Sequence, residues 1–117
     1  FSLEERLDCV REVVQPLGNI QVLPFSGLVT EFARLHGATA MVRGVRSVTD
    51  FDFESQLAGM NRALVPELDT VFLTPDTRYQ HISSTLVREI ALLKGDAAQF
   101  VAPAVWVRMR AKVQTAS

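Results

Sequence analysis

Apolar residues recur at helical spacing from the start of the chain. Leu3, Leu7, Val10 and Val14 stand at i, i+4, i+7 and i+11, which places them on one face of a helix. Ser2 and Glu5 form a capping box at its start, and Pro16 and Gly18 end it. The run Ile20 to Leu23 suits a strand, followed by a turn from Pro24 to Gly27. A second helix is expected to turn Leu28, Phe32 and Leu35 inward, with Gly37 as its left-handed cap. Ala38 to Val42 is a continuous small and apolar run, the pattern of a central parallel strand covered on both faces. Thr49 to Asp52 reads as a second capping box, opening a helix with Phe53, Leu57, Met60 and Leu64 on its inner stripe. Asp69 to Thr74 is the next strand. After Pro75, the hydroxyls of Ser83, Ser84 and Thr85 offer caps for a helix carrying Leu86, Ile90 and Leu93, with Gly95 beyond it. Pro103 suits the first turn of a last helix running to about Lys112.

Helix and strand therefore alternate, and strands separated by helices cross over to pair in parallel. The fold class expected is α/β, a doubly wound, Rossmann-like parallel sheet. At 117 residues the chain fits a single domain, residues 1–117. Hydrophobic residues make up 48% and charged residues 21%, a globular balance. No apolar run approaches the roughly 20 residues that cross a bilayer, and no basic segment leads into a short apolar one. The chain reads as soluble and cytoplasmic, with no membrane partner. Cys9, the single cysteine, falls in the first helical pattern and reads as a core thiol. With 12 basic against 13 acidic residues, a broad nucleic-acid-binding face is not expected, so any anion site is local. The chain opens at Phe1 without a methionine and caps a helix at once, so it reads as starting mid-protein.

In an open parallel sheet, ligands bind beyond the carboxyl ends of the strands, where helix N-termini present unpaired N–H groups. Two segments fall there. Arg43-Gly44-Val45-Arg46 ends the most apolar strand; two guanidiniums around a glycine suit a polyphosphate, because each can form a bidentate charge-assisted pair. The alternative is a solvated loop with surface arginines. His81-Ile82-Ser83-Ser84-Thr85 sets three hydroxyls at a helix start. They can converge on phosphate oxygens, or one can simply cap the helix. His36 and His81 have no partner cluster at metal-ligand spacing, so no protein metal site is expected. Trp106 reads as packing.

These residues carry a family resemblance. Arg43-Gly44-Val45-Arg46, then Asp50-Phe51-Asp52-Phe53-Glu54 and Met60-Asn61, resembles the central signature of phosphopantetheine adenylyltransferases. Ile82-Ser83-Ser84-Thr85-Leu86-Val87-Arg88-Glu89 looks like the motif that the wider nucleotidyltransferase superfamily shares. The likeness runs from Phe1-Ser2-Leu3-Glu4-Glu5-Arg6 to the last helix.

The resemblance implies an adenylyltransferase of coenzyme A biosynthesis that moves AMP from ATP to 4'-phosphopantetheine, releasing pyrophosphate, with Mg2+ on the leaving phosphates. It implies ATP contacts from Gly44, Val45, Arg46, Glu54, Tyr79, Gln80, His81, Ile82, Ser83, Ser84 and Thr85, with Arg46 neutralising phosphate charge as the catalytic group. It assigns the phosphopantetheine side to Val29, Arg43, Leu57, Met60 and Asn61, and leaves Arg88 either to assist with phosphate or to pair with a carboxylate. It further implies a homohexamer, a dimer of trimers. Family members also carry an N-terminal strand, a glycine-rich loop and a TxGH-type motif whose histidine stabilises the transition state, then a substrate-binding lysine. None of these is in the sequence. The chain is accordingly expected to be the C-terminal two-thirds of such a domain, and a polypeptide limited to these residues to be inactive, with an apolar sheet edge exposed where the first strand belongs. The competing readings are a nucleotidyltransferase for another acceptor such as nicotinate mononucleotide, a non-catalytic nucleotide-binding module, and a plain interaction domain.

Overall fold

Residues 1–116 are described by the computed structural model. They divide into two compact units, one of Phe1–Pro24 with Ile82 onward, the other of Phe25–His81.

The first unit is helical. Helix α1 (Leu3–Val14) starts on the capping box read from the sequence: the Glu5 N–H donates to the Ser2 hydroxyl, and the Ser2 N–H donates to the Glu5 carboxylate. Helix α4 (Ser84–Leu92) follows Ser83 as N-cap, and helix α5 (Pro103–Thr115) begins with its proline in the first turn, where the missing N–H costs nothing. Val87, Ala91, Ala97 and Met109 form the core between α4 and α5, with Trp106 packed against it as expected. Lys112 and Arg108 on α5 reach Glu5 and Glu12 on α1. Cys9 is buried and unpaired by any disulfide.

The second unit is a parallel βαβ crossover preceded by a short helix. Helix α2 (Val29–Leu35) leads to strand β1 (Ala40–Gly44), helix α3 (Val48–Leu64) and strand β2 (Asp69–Leu73). The strands pair in parallel, with Arg43 opposite Phe72 and Gly44 opposite Leu73. Parallel neighbours need a long connection, and α3 is that connection. Phe51 of α3 meets Phe72 of β2 edge to face, ring centroids 5.8 Å apart, which fixes the helix on the sheet. Gly37 has a φ of +68° after α2, the left-handed cap anticipated from its position.

The α/β class holds, but several local expectations do not. Ile20 to Leu23 forms no strand, since a strand persists only when paired and the described sheet consists of β1 and β2. The apolar run at Ala38 yields a strand that starts two residues later and is covered on alternate residues only, with Val42 on the open face. Helix α3 is capped by Ser47, whose hydroxyl accepts the Asp50 N–H, and Thr49 lies inside the helix. A serine with extended backbone just ahead of the helix takes the cap before a later threonine can.

The inner faces also differ from the apolar stripes. Leu28 and Leu35 of the α2 region are exposed while Thr30 and Ala33 are buried. Phe53, Met60 and Leu64 are exposed while Glu54 and Asn61 are buried, and Leu57 is half-buried. On α1, Leu7 is buried but Leu3 and Val10 are exposed. On α4, Val87 and Ala91 replace Leu86 and Leu93. At Ala33 and Ala91 a small residue lets the helix approach its neighbour closely, whereas Glu54 is buried against its partner Arg43.

Candidate functional site

The carboxyl ends of β1 and β2 define the centre of the second unit's site. Past Gly44, the Val45 N–H donates to the Leu73 carbonyl at 2.9 Å, so the β1 end stays stitched to β2 after the regular ladder stops. The Val45 side chain is buried. That anchors the backbone between the two arginines. A Cβ at Gly44 would meet no protein atom within 4 Å, so the space over this glycine is open to a ligand.

Arg43 projects from β1 to the second turn of α3. Its Nε and Nη2 donate to Oε2 and Oε1 of Glu54, both at 2.7 Å, a side-on bidentate pair of the strong kind. The Glu54 side chain is 11% exposed and that of Arg43 is 38% exposed. Hydrogen bonding from Arg43 holds the Glu54 carboxyl below its ordinary range, and hydrogen bonding to Glu54 raises the Arg43 guanidinium. The pair is therefore charged throughout the neutral range.

Arg46 is organised separately. Its backbone N–H and its Nε both donate to Oδ2 of Asp50, at 3.4 and 3.3 Å. Asp50 occupies the third position of α3 after its Ser47 cap, where a carboxylate also meets the positive end of the helix. Asp50 enters the sequence reading only as one letter of the signature. The Ser47-x-x-Asp50 spacing marks Asp50 as a first-turn residue of a capped helix, but only the structure shows that it holds Arg46.

Asn61 lies seven residues after Glu54 on the same buried face of α3, its Nδ2 at 4.0 Å from the Met41 sulfur. Leu57 is half-buried between them in sequence, whereas Met60 is 69% exposed. Val29 is the first, half-buried residue of α2. Tyr79 closes a short 3-10 turn (Thr77–Tyr79) capped by Asp76, with the Arg78 guanidinium 5.1 Å from its ring centre; Gln80 and His81 follow, both exposed. The second unit thus brings Arg43, Glu54, Arg46 and Asp50 into two adjoining ion pairs.

The remaining candidates belong to the first unit. Ile82 and Ser83 are half-buried, and Ser83 accepts the Leu86 N–H at 3.2 Å as the α4 cap. Ser84 and Thr85 are exposed in the first turn. One hydroxyl of the three therefore caps the helix, and the other two belong to exposed residues. Arg88 donates to the Ser84 carbonyl at 3.4 Å. Among the described residues no group of three or more His, Cys, Asp or Glu side chains is arranged to hold a metal, and no helix is long and apolar enough to cross a membrane.

The cytidylyltransferase-like family model matches residues 1–90, a span that includes both the Arg43 to Glu54 signature and the α4 start. A phosphopantetheine adenylyltransferase of Acidovorax sp. (strain JS42) is 60% identical over 113 residues, covering 97% of this chain and 68% of the relative. The enzyme of the same name from Methylobacillus flagellatus is 51% identical over 113 residues, covering 97% and 71%. This chain belongs to the phosphopantetheine adenylyltransferase family. A family chain of the cytidylyltransferase-like type is an α/β nucleotidyltransferase, and the parallel crossover of β1, α3 and β2 is the part of that fold carrying the two ion pairs. The counterpart from Paraburkholderia phymatum is 50% identical over 97% of the chain and 67% of its own length, so the likeness spreads along the whole sequence rather than resting on one motif.

Proposed function

We infer that the chain serves an adenylyltransferase that moves AMP from ATP to 4'-phosphopantetheine, giving dephospho-coenzyme A and pyrophosphate. The observation that carries this reading is the 60% identity to an enzyme of that name along 97% of the chain. A phosphate oxygen of phosphopantetheine attacks the α-phosphorus of ATP, the new P–O bond forms, and the bond to the bridging oxygen breaks to release pyrophosphate. No covalent enzyme intermediate is needed, so catalysis consists of positioning and charge neutralisation.

In this reading Gly44, Val45 and Arg46 hold ATP, and Arg46 meets negative charge on its phosphates. Asp50 keeps that guanidinium at the strand end. Glu54, Tyr79, Gln80, His81 and Ile82 complete the nucleotide contacts, with Ser83, Ser84 and Thr85 as phosphate donors; the exposure of Ser84 and Thr85 supports that role. Arg43, Val29, Leu57, Met60 and Asn61 serve phosphopantetheine. Magnesium enters with ATP: Mg2+ keeps several waters and binds substrate phosphates readily, and the carboxylates of Asp50 and Glu54 are already engaged by arginines. The enzyme is cytoplasmic and assembles as a homohexamer. The exposed apolar side chains Phe53 and Leu64 of α3 are the kind of surface such an assembly covers.

The test is pyrophosphate release by the full-length protein with ATP and magnesium, comparing 4'-phosphopantetheine with nicotinate mononucleotide. Release that depends on phosphopantetheine is the expected result. Release only with the other acceptor overturns the substrate, and silence with both overturns the enzymatic reading.

A further inference from the structure

Glu54 stands among the nucleotide contacts in the reading above, yet both of its carboxylate oxygens are taken by Arg43, a residue of the phosphopantetheine side. The two come from different elements, eleven residues apart in sequence, and meet at 2.7 Å twice. The carboxylate is the buried partner and the guanidinium the more open one. That asymmetry assigns the roles, because the buried group is fixed by its surroundings and the exposed one has reach.

The donor inventory agrees. A guanidinium has five N–H donors in a rigid plane. The side-on pair uses the Nε donor and one Nη2 donor, leaving three, and those three include the Nη1/Nη2 edge that can grip a second oxyanion bidentately. A carboxylate seated on one edge therefore aims the other edge. We propose that Glu54 is a positioning residue that locks Arg43 with its terminal edge toward the phosphate of the acceptor, so that its main effect on the reaction falls on phosphopantetheine and not on ATP. The proposal rests on the functional reading above and reassigns Glu54 within it from the nucleotide to the acceptor side.

Glu54→Gln tests it in the full-length enzyme. The amide keeps the shape but offers one N–H where Arg43 needs an acceptor, so one of the two hydrogen bonds becomes a donor-donor clash. The KM for 4'-phosphopantetheine should rise about tenfold, with the KM for ATP within about twofold of wild type. Because the two residues act as a unit, adding Glu54→Gln to Arg43→Ala should cost about twofold or less in kcat/KM for phosphopantetheine beyond Arg43→Ala alone. A rise confined to the KM for ATP, or full additivity in the double variant, overturns the proposal. So does a fall in kcat with both KM values unchanged, which marks a purely structural role. Wild-type kinetics form the separate arm: no turnover of phosphopantetheine by wild type removes the functional reading itself, and the proposal with it.

Discussion

Leu68 is the prediction that separates the packing seen in the structure from the packing suggested by the sequence. It sits between α3 and β2, is 2% exposed, and is the one large side chain of the described residues that is this fully enclosed. Its N–H closes the turn onto the Val65 carbonyl, and the next residue, Asp69, donates to the Thr39 carbonyl to start the β-ladder. Leu68→Ala removes three buried carbon groups at about 0.8 kcal/mol each, or about 2.4 kcal/mol. The unfilled space raises the total to about 3 to 4 kcal/mol, within the usual range for buried leucine. Against a stability of about 5 to 15 kcal/mol that is a large fraction. Urea unfolding followed by circular dichroism on the full-length protein reads it directly as a lower midpoint. Leu35→Ala is the comparison in the same unit. Leu35 belongs to an apolar stripe that reads as core, yet it is 69% exposed, and its truncation should stay within about 0.5 kcal/mol. A Leu35 loss equal to the Leu68 loss would refute the argument from burial.

The other predictions concern the site. Ser47→Ala removes the α3 cap at 3.1 Å from the Asp50 N–H and should cost about 1 kcal/mol in the same unfolding assay, with Ser47→Gly costing only a few tenths. Arg46→Ala should lower kcat for ATP-dependent pyrophosphate release by about 100-fold, since phosphate charge in the transition state loses its counter-charge; unchanged kinetics would remove Arg46 from the mechanism. For pH, the Glu54 carboxyl is depressed from its ordinary 4.5 by Arg43, so the pair's contribution is complete above that ordinary value and is lost as pH falls through the depressed one. The stability difference between wild type and Glu54→Gln should therefore be flat from about pH 6 to 8 and shrink only toward acid. A difference that changes across the neutral range would contradict this sign.

The order of elements was legible because local chemistry writes it. Ser2 with Glu5, Gly37 past its helix and Pro103 at the head of another each satisfy a backbone requirement within a few residues, and each appears in the structure where the sequence places it. The parallel sheet follows from alternation alone, because two strands with a 17-residue helix between them have no hairpin available. What failed was whatever depends on neighbours distant in sequence. Ile20 to Leu23 has strand composition, but pairing is a property of two segments. The stripes through Leu35, Phe53 and Leu93 are periodic, but periodicity says which residues share a face and not which face meets another element.

The candidate site shows the same division more sharply. Arg43 and Arg46 could be marked from sequence because two guanidiniums around a glycine at a strand end are rare enough to notice. Their partners could not be marked so easily, since an acidic residue in the first turns of a helix is ordinary chemistry for a helix dipole. Helix α3 resolves the ambiguity by burying its polar residues Glu54 and Asn61 and exposing Phe53 and Met60. A helix that turns a carboxylate and an amide toward the sheet beside Phe51, with Phe53 and Met60 outward, is partly inverted with respect to simple amphipathic packing. Burying a carboxylate without a partner is costly. Arg43 meets that requirement with two hydrogen bonds at 2.7 Å. The inversion is thus stable only while Arg43 is present, and Arg43 is aimed only while the inversion holds. Arg43→Ala should consequently harm stability as well as phosphopantetheine kinetics, whereas Arg46→Ala, whose partner Asp50 also sits at the α3 N-terminus, should leave the unfolding midpoint close to wild type.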